Sequence, residues 1–106
     1  MKILKVIDFK RNVLGIIRQD SAGALQLQVG EEKYRQDLER FVQQIARQPV
    51  YLTGGEKIEK DGKVIFVTRR KQVRPADAEF FAGVQELLNT TRFGETRLRG
   101  LVVQEG

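Results

Sequence analysis

Hydrophobic side chains follow a strand-like pattern over the first third of the chain. Residues 3–9 and 13–18 are rich in Ile, Val and Leu with polar residues between them, which predicts two strands. Residues 24–29 alternate between apolar side chains and glutamine, as in a strand with one buried and one open face. One irregular helix over residues 3–18 is the alternative, but Gly15 and the β-branched content argue against it.

Two later segments follow the helical period instead. Residues 31–47 place five apolar side chains within a sector of about 100°, the width of a core-facing stripe, and Pro49 ends the segment. These side chains are Tyr34, Leu38, Phe41, Val42 and Ile45. A second helix is predicted over residues 75–89, where Pro75 suits the first helical turn. Its apolar face comprises Phe80, Phe81, Val84, Leu87 and Leu88, and its outer face carries Glu79 and Glu86.

Between the two helices, residues 50–73 predict a long β-hairpin with Asp61-Gly62 at its turn. A type I′ turn needs positive φ at both central residues, which Asp and Gly tolerate. The turn sets the cross-strand pairs Lys60–Lys63, Ile58–Ile65 and Glu56–Val67. The first arm is polar and carries lysines, as edge strands do, whereas residues 64–67 are all apolar, as in inner strands. We therefore expect the second arm to lie inside the sheet and the first at its edge.

We make two further predictions for the hairpin, one for Phe66 and one for the pair Gly54-Gly55. Phe66 is expected in the core, because Phe is usually buried. The pair Gly54-Gly55 lacks the spacing of a phosphate-binding loop and leads into a strand rather than a helix. We expect a β-bulge or bend there.

The element order is β-β-β-α-β-β-α-β, with a loop over residues 90–97 and a last strand over residues 98–104. It predicts a single α+β domain over residues 1–106, with an antiparallel sheet and two helices on one face. From residue 24 onward the order is that of a ferredoxin-like split βαβ unit, preceded by an N-terminal strand extension. That arrangement also makes the second arm of the hairpin central.

One conflict remains within this fold prediction. Residues 13–18 should pair with residues 24–29 across the turn at residues 20–23, yet a ferredoxin-like sheet gives residues 24–29 two other neighbours. Either the N-terminal strands cover the sheet elsewhere, or the last strand is displaced and the sheet is a longer antiparallel meander.

Composition limits the chemistry that the chain can perform. It has neither cysteine nor histidine, which excludes disulfides and a structural zinc site and favours the cytosol. No cofactor site is predicted, no apolar run approaches the ~20 residues of a membrane helix, and the N-terminus lacks a signal-peptide core. Ser21 is the only serine and lies in a turn, so we predict no enzyme. A carboxylate pair or a magnesium site assembled in three dimensions stays an open alternative.

Positive charge is the remaining signal, with a net charge of +5. Residues 1–35 carry seven Lys or Arg against four Asp or Glu (+3), residues 36–68 five against five (0), and residues 69–106 seven against five (+2). Two groups could contact phosphates: the run Arg69, Arg70, Lys71 and Arg74, and the helical stripe Lys33, Arg40 and Arg47. Strand alternation directs Arg69 and Lys71 to one face and Arg70 to the other, and ordinary solvation of both groups is the competing interpretation.

These observations predict that the chain is a small cytosolic, non-enzymatic binding module. It is expected to contact nucleic acid through a basic surface and to have no membrane partner. The alternative is a protein-interaction or self-associating domain that uses a sheet edge or a helix face. A third hypothesis is an accessory subunit whose basic surface maintains solubility.

Overall fold

Five strands form a curled antiparallel sheet in the computed structural model, which describes residues 1–105. They are β1 (Lys2–Asp8), β2 (Val13–Gln19), β3 (Leu25–Val29), β6 (Arg92–Phe93) and β7 (Thr96–Gln104). Their order is β3-β2-β1-β7-β6, so that β1 has β2 on one side and β7 on the other. Three consecutive strands thus form a meander that the last strand extends, which is the second of the two alternatives that the sequence left open.

The predicted hairpin forms a separate two-stranded sheet. Its arms are β4 (Val50–Lys60) and β5 (Lys63–Val73), and all three predicted cross-strand pairs are confirmed. Asp61 has φ 54° and Gly62 has φ 75°, so both central residues of the turn take the positive φ of a type I′ turn. The pairing runs without a register shift from the turn to the base, so the prediction of a β-bulge at Gly54-Gly55 is wrong, and the alternative of a bend there stays a prediction.

The strand order is not that of a ferredoxin-like sheet. The second arm of the hairpin, β5, does not lie inside the five-stranded sheet. Both edges of β1 are occupied, and β2 lies between β1 and β3. The β2–β3 connection is a tight turn in which Gly23 has φ 86° and the Asp20 carboxylate accepts hydrogen bonds from the N–H groups of Ala22 and Ala24. Strands joined by such a short turn lose little chain entropy when they pair. β2 therefore pairs with β3 and β1, and the hairpin does not obtain these strands as neighbours.

Two α-helices connect these sheets, and both are shorter than the sequence predicted. Helix α1 (Arg35–Arg47) follows a short 3₁₀ helix (Glu32–Tyr34), and α2 (Phe80–Leu88) begins five residues after Pro75. The Asp77 carboxylate accepts a hydrogen bond from the Arg74 N–H at 2.8 Å, which holds this segment as a turn rather than a first helical turn. Within residues 1–105, neither helix is long and apolar enough to cross a membrane.

The core combines apolar residues of the five-stranded sheet with the apolar sides of both helices. All predicted helical core positions are buried or partly buried, and the sheet contributes Leu4, Val6, Leu14, Ile17 and Leu98. The base of the hairpin joins through Val50 and Val73, which pack close to the backbone of α2 at Gly83. The placement of both helices on one face of the sheet stays a prediction.

The Gly83 contact yields a stability prediction. A Cβ atom at this position would lie 2.7 Å from Val73 Cγ2 and 3.1 Å from Val50 Cγ1. Gly83→Ala should therefore lower the free energy of unfolding by about 1–2 kcal/mol, although Ala is the better helix former by about 1 kcal/mol. Urea denaturation measures the change.

Val73→Ala supplies the matched control for this prediction, because it removes the methyl group that the new Cβ atom would meet. In a double-mutant cycle, Gly83→Ala should cost less in the Val73→Ala background than in the wild type. A stabilising effect of Gly83→Ala alone would show that α2 and the hairpin are not in contact as described.

Candidate functional site

The hairpin projects from the rest of the molecule. The principal dimensions are 56 × 33 × 27 Å, and the radius of gyration of 15.8 Å exceeds the ~13 Å of a compact domain of this length. Val50 and Val73 are buried at the base, whereas Val64 and Phe66 near the turn are 71% and 64% exposed. A two-stranded ribbon is marginally stable in water, so an exposed one with large apolar side chains suggests a binding element.

Strand alternation gives the hairpin two faces, which we name after central residues of β5. The Phe66 face comprises Tyr51, Thr53, Gly55, Lys57, Glu59, Val64, Phe66, Thr68, Arg70 and Gln72. The Ile65 face comprises Leu52, Gly54, Glu56, Ile58, Lys60, Lys63, Ile65, Val67, Arg69 and Lys71.

Carboxylates pair with two of the predicted site residues on the Ile65 face. Arg69 forms an ion pair with Glu56 across the ribbon at 2.7 Å, and Lys71 forms one with Glu79 at 2.8 Å. The hydrogen bond and charge of Glu79 raise the pKa of Lys71. Both cations therefore already have anionic partners within the chain, which weakens their attraction for an external phosphate.

The Phe66 face combines aromatic rings with cations that have no such partners. The Arg70 guanidinium lies over the Tyr51 ring, 4.4 Å from its centroid, and the ion pairs of the described residues do not include it. Further along, the Phe66 ring lies over the backbone of Gly55, where an added Cβ atom would overlap it. Lys57 lies directly opposite Phe66. Gly55 thus allows the ring to lie against the ribbon with its other side toward solvent.

Two more predicted site residues meet at the base of the hairpin. Arg47, at the end of α1, and Arg74, just after β5, line a shallow depression of ≈ 230 Å³ together with Gln72. Gln72 belongs to the Phe66 face, so this depression continues the line that runs from Lys57 past Phe66 to Arg70. Chain folding thus brings a cation from the end of α1 near one that directly follows β5.

The remaining two predicted site residues lie elsewhere. Arg40 is exposed on α1. Lys33 belongs to the 3₁₀ helix, with Nζ 5.1 Å from the centroid of the Tyr34 ring, and lines a different depression with Lys10 and Arg97. Lys33 and Arg47 lie 14 positions apart in the sequence, which corresponds to ~21 Å of helix, so the stripe does not form one compact patch.

Phe66 lies on the surface, so the prediction that it belongs to the core is wrong. Burial of Phe is the usual outcome, but here the hairpin forms its own sheet and no other element among the described residues covers the ring. A signal was present, because the predicted register already placed Phe66 and Arg70 on one face. Tyr51 and Lys57 follow from the same register.

Residues 1–105 contain no buried polar or charged side chain and no cluster of three or more Asp or Glu that could hold a metal ion. Comparison with protein-family models, curated proteins and solved structures finds no match to this chain.

The ion pair on the Ile65 face gives a prediction about pH. Glu79→Gln should move the pKa of Lys71 down toward its ordinary value, because Glu79 is the main cause of the upward shift. Since folding raises this pKa, the pair contributes stability below the ordinary lysine pKa and loses it as pH rises through the raised value. An NMR titration of the Lys71 side chain in both proteins measures the shift.

Glu59→Gln is the matched control for this titration, because Glu59 lies on the other face and is not a cause of the shift. It should leave the pKa of Lys71 unchanged. Equal titration curves for wild type and Glu79→Gln would mean that the contact does not persist in solution.

Proposed function

We propose that this chain is a non-enzymatic binding module of the cytosol whose projecting hairpin binds single-stranded nucleic acid through its Phe66 face. The observation that carries the proposal is the exposed Phe66 ring, held over Gly55 with Lys57 opposite it and Arg70 further along the strand. Proteins that bind single strands combine exposed aromatic rings, on which bases stack, with cations that follow the phosphates.

The distribution of charge supports an anionic partner at this site. Residues 50–74 contain seven Lys or Arg against three Asp or Glu, which makes +4 of the chain's net charge of +5. Each phosphate that such a surface neutralises releases condensed counterions, and this release favours binding. Because the charge is concentrated on a projecting element, an extended strand can reach it without contacting the rest of the protein.

Spacing along the ribbon suits an extended strand rather than a compact ligand. Phe66 and Arg70 are four residues apart on β5, which corresponds to ~13 Å, and Arg74 lies at the end of the same line. Stacking also requires an unpaired base, because in a duplex the ring faces of the bases are occupied. We therefore assign Phe66 the role of a stacking platform and Lys57, Arg70, Arg74 and Arg47 that of phosphate contacts.

Removal of the Phe66 ring tests the stacking role. Phe66→Ala should weaken binding of a fluorescently labelled single-stranded oligonucleotide by roughly 5- to 150-fold, the equivalent of about 1–3 kcal/mol for one stacked base. Fluorescence anisotropy at low salt measures the affinity. Val64→Ala removes an exposed apolar side chain from the same face and should leave the affinity nearly unchanged. An affinity of the wild type no better than millimolar would refute the proposed function.

The salt dependence identifies the cations that contact phosphates. Arg70→Gln should reduce the slope of log affinity against log salt by about 0.7, the expected value for one phosphate contact on a single strand. Arg40→Gln removes the same charge from α1 and should leave the slope unchanged. The reverse result would move the interface to the helical stripe, and a wild-type affinity independent of salt would exclude phosphate contacts altogether.

Association with protein is the second candidate function. Ile58 and Ile65 are 37% and 42% exposed, and neither β4 nor β5 pairs with the five-stranded sheet. Exposed apolar side chains beside an unpaired strand edge favour strand addition by another chain.

A further inference from the structure

The outer edge of β4 presents unpaired backbone groups to solvent over the distal half of the hairpin. At the base, the Thr53 N–H donates to the Glu86 carboxylate at 2.9 and 3.2 Å, so the backbone groups of Thr53 point away from β5. Backbone direction alternates along a strand, so Lys57 and Glu59 also direct their N–H and C=O groups outward. The edge is therefore available from Gly55 to the turn.

The residues at this edge form a charge palindrome about Ile58. In the order Glu56, Lys57, Ile58, Glu59, Lys60, reversal of direction exchanges every glutamate with a lysine. When two such strands lie antiparallel with Ile58 opposite Ile58, Glu56 faces Lys60 and Lys57 faces Glu59 on both sides of the axis. Opposite charges directly across an antiparallel pair stabilise it, and like charges destabilise it.

We propose that two copies of this chain associate by antiparallel pairing of β4 with β4, centred on Ile58, into one four-stranded sheet. The partner is a second copy because the palindrome is complementary to itself, and the resulting interface has the two-fold symmetry of most homodimers. This proposal does not rest on nucleic-acid binding, since the two copies associate through the backbone edge of β4. It shares Lys57 with the proposed phosphate contacts, but neither Phe66 nor Arg70.

The charges favour this register over the registers that are centred one residue away. In the proposed register, Lys57 lies opposite Glu59 of the other copy, so two residues with outward backbone groups face each other and can exchange hydrogen bonds. A shift of the centre to Lys57 or to Glu59 keeps the hydrogen bonds but places that residue opposite its own copy, with like charges in contact. Only the centre at Ile58 satisfies both the hydrogen bonds and the charges.

The same register brings apolar side chains together and places the turn of each copy beside two glycines of the other. Residues directly opposite share a face, so Ile58 and Ile65 of both copies form one continuous apolar surface on the Ile65 face. The turn residues Asp61 and Gly62 of each copy come opposite Gly55 and Gly54 of the other. A Cβ atom at Gly54 would meet nothing within 4 Å, so the Ile65 face is open at this position, whereas the Phe66 ring covers Gly55 on the other face.

Sedimentation equilibrium over a range of protein concentrations, without nucleic acid, provides the first test. The wild type should form a dimer, and Lys57→Glu should raise its dissociation constant at least about tenfold by placing carboxylates opposite each other at two positions. The double variant Lys57→Glu/Glu59→Lys restores both pairs and should restore the dimer. Lys10→Glu makes the same charge change on an exposed turn residue outside the hairpin and should have no effect.

A cysteine introduced at the axis tests the register directly, since the chain contains no cysteine of its own. Two copies of Ile58 at the centre form a non-hydrogen-bonded pair, with Cα atoms ~4.5 Å apart, within the range that a disulfide spans. Ile58→Cys should therefore give a disulfide-linked dimer on mild oxidation. Ile65→Cys lies on the same face but one strand away from the axis in each copy, and should not.

Three results would overturn the proposal. They are a wild type that stays monomeric up to millimolar concentration, a dimer whose affinity the double charge exchange does not restore, and crosslinking of Ile65→Cys as fast as that of Ile58→Cys. A monomer that still binds the oligonucleotide would refute this inference and leave the proposed function intact, whereas a dimer without affinity for the oligonucleotide would do the opposite.

Discussion

A strand can pair with two neighbours, and in this protein β1 uses both of its edges. It pairs with β2 on one side and with β7 on the other, so the first and last strands of the chain hold the sheet together. The Met1 carbonyl oxygen also accepts a hydrogen bond from the Glu105 N–H at 2.7 Å, which extends this pairing to the chain ends. Because both edges of β1 are occupied in this way, the hairpin has no place at the centre of the sheet, and it forms a ribbon of its own.

The ribbon depends on α2 for its position. The helix approaches the base of the hairpin closely because Gly83 has no side chain, and Val50 and Val73 occupy the space. Two carboxylates strengthen the same junction: Glu86 accepts from the Thr53 N–H, and Glu79 pairs with Lys71. The acidic side of α2 is therefore occupied by the hairpin, and it anchors the ribbon instead of forming a separate acidic surface.

Because α2 anchors the ribbon at its base, two sets of groups in the distal half of the ribbon stay exposed to solvent. Its Phe66 face offers a ring and cations, and its outer edge offers backbone hydrogen-bonding groups. The two proposals share one residue, Lys57, which would face Glu59 of the other copy in the dimer, whereas Phe66 and Arg70 stay open on their face. In the paired arrangement the Phe66 faces of both copies would lie on the same side of the four-stranded sheet, since residues directly opposite share a face.

The sequence by itself determined the local elements of this protein. Alternation and helical periodicity located both helices and every strand except β6, which lies in the predicted loop over residues 90–97. Asp61-Gly62 determined the register of the hairpin, and all these features depend on residues close together in the chain. Only the tertiary structure decided which strands are neighbours, and this choice exposed Phe66, paired Arg69 and Lys71 with carboxylates, and brought Arg47 near Arg74. The run of apolar residues and the charges along one strand do not show whether that strand lies inside a sheet or projects from the molecule. The position of the hairpin depends instead on which strands pair with the two edges of β1. Those strands are β2 and β7, which lie near opposite ends of the chain.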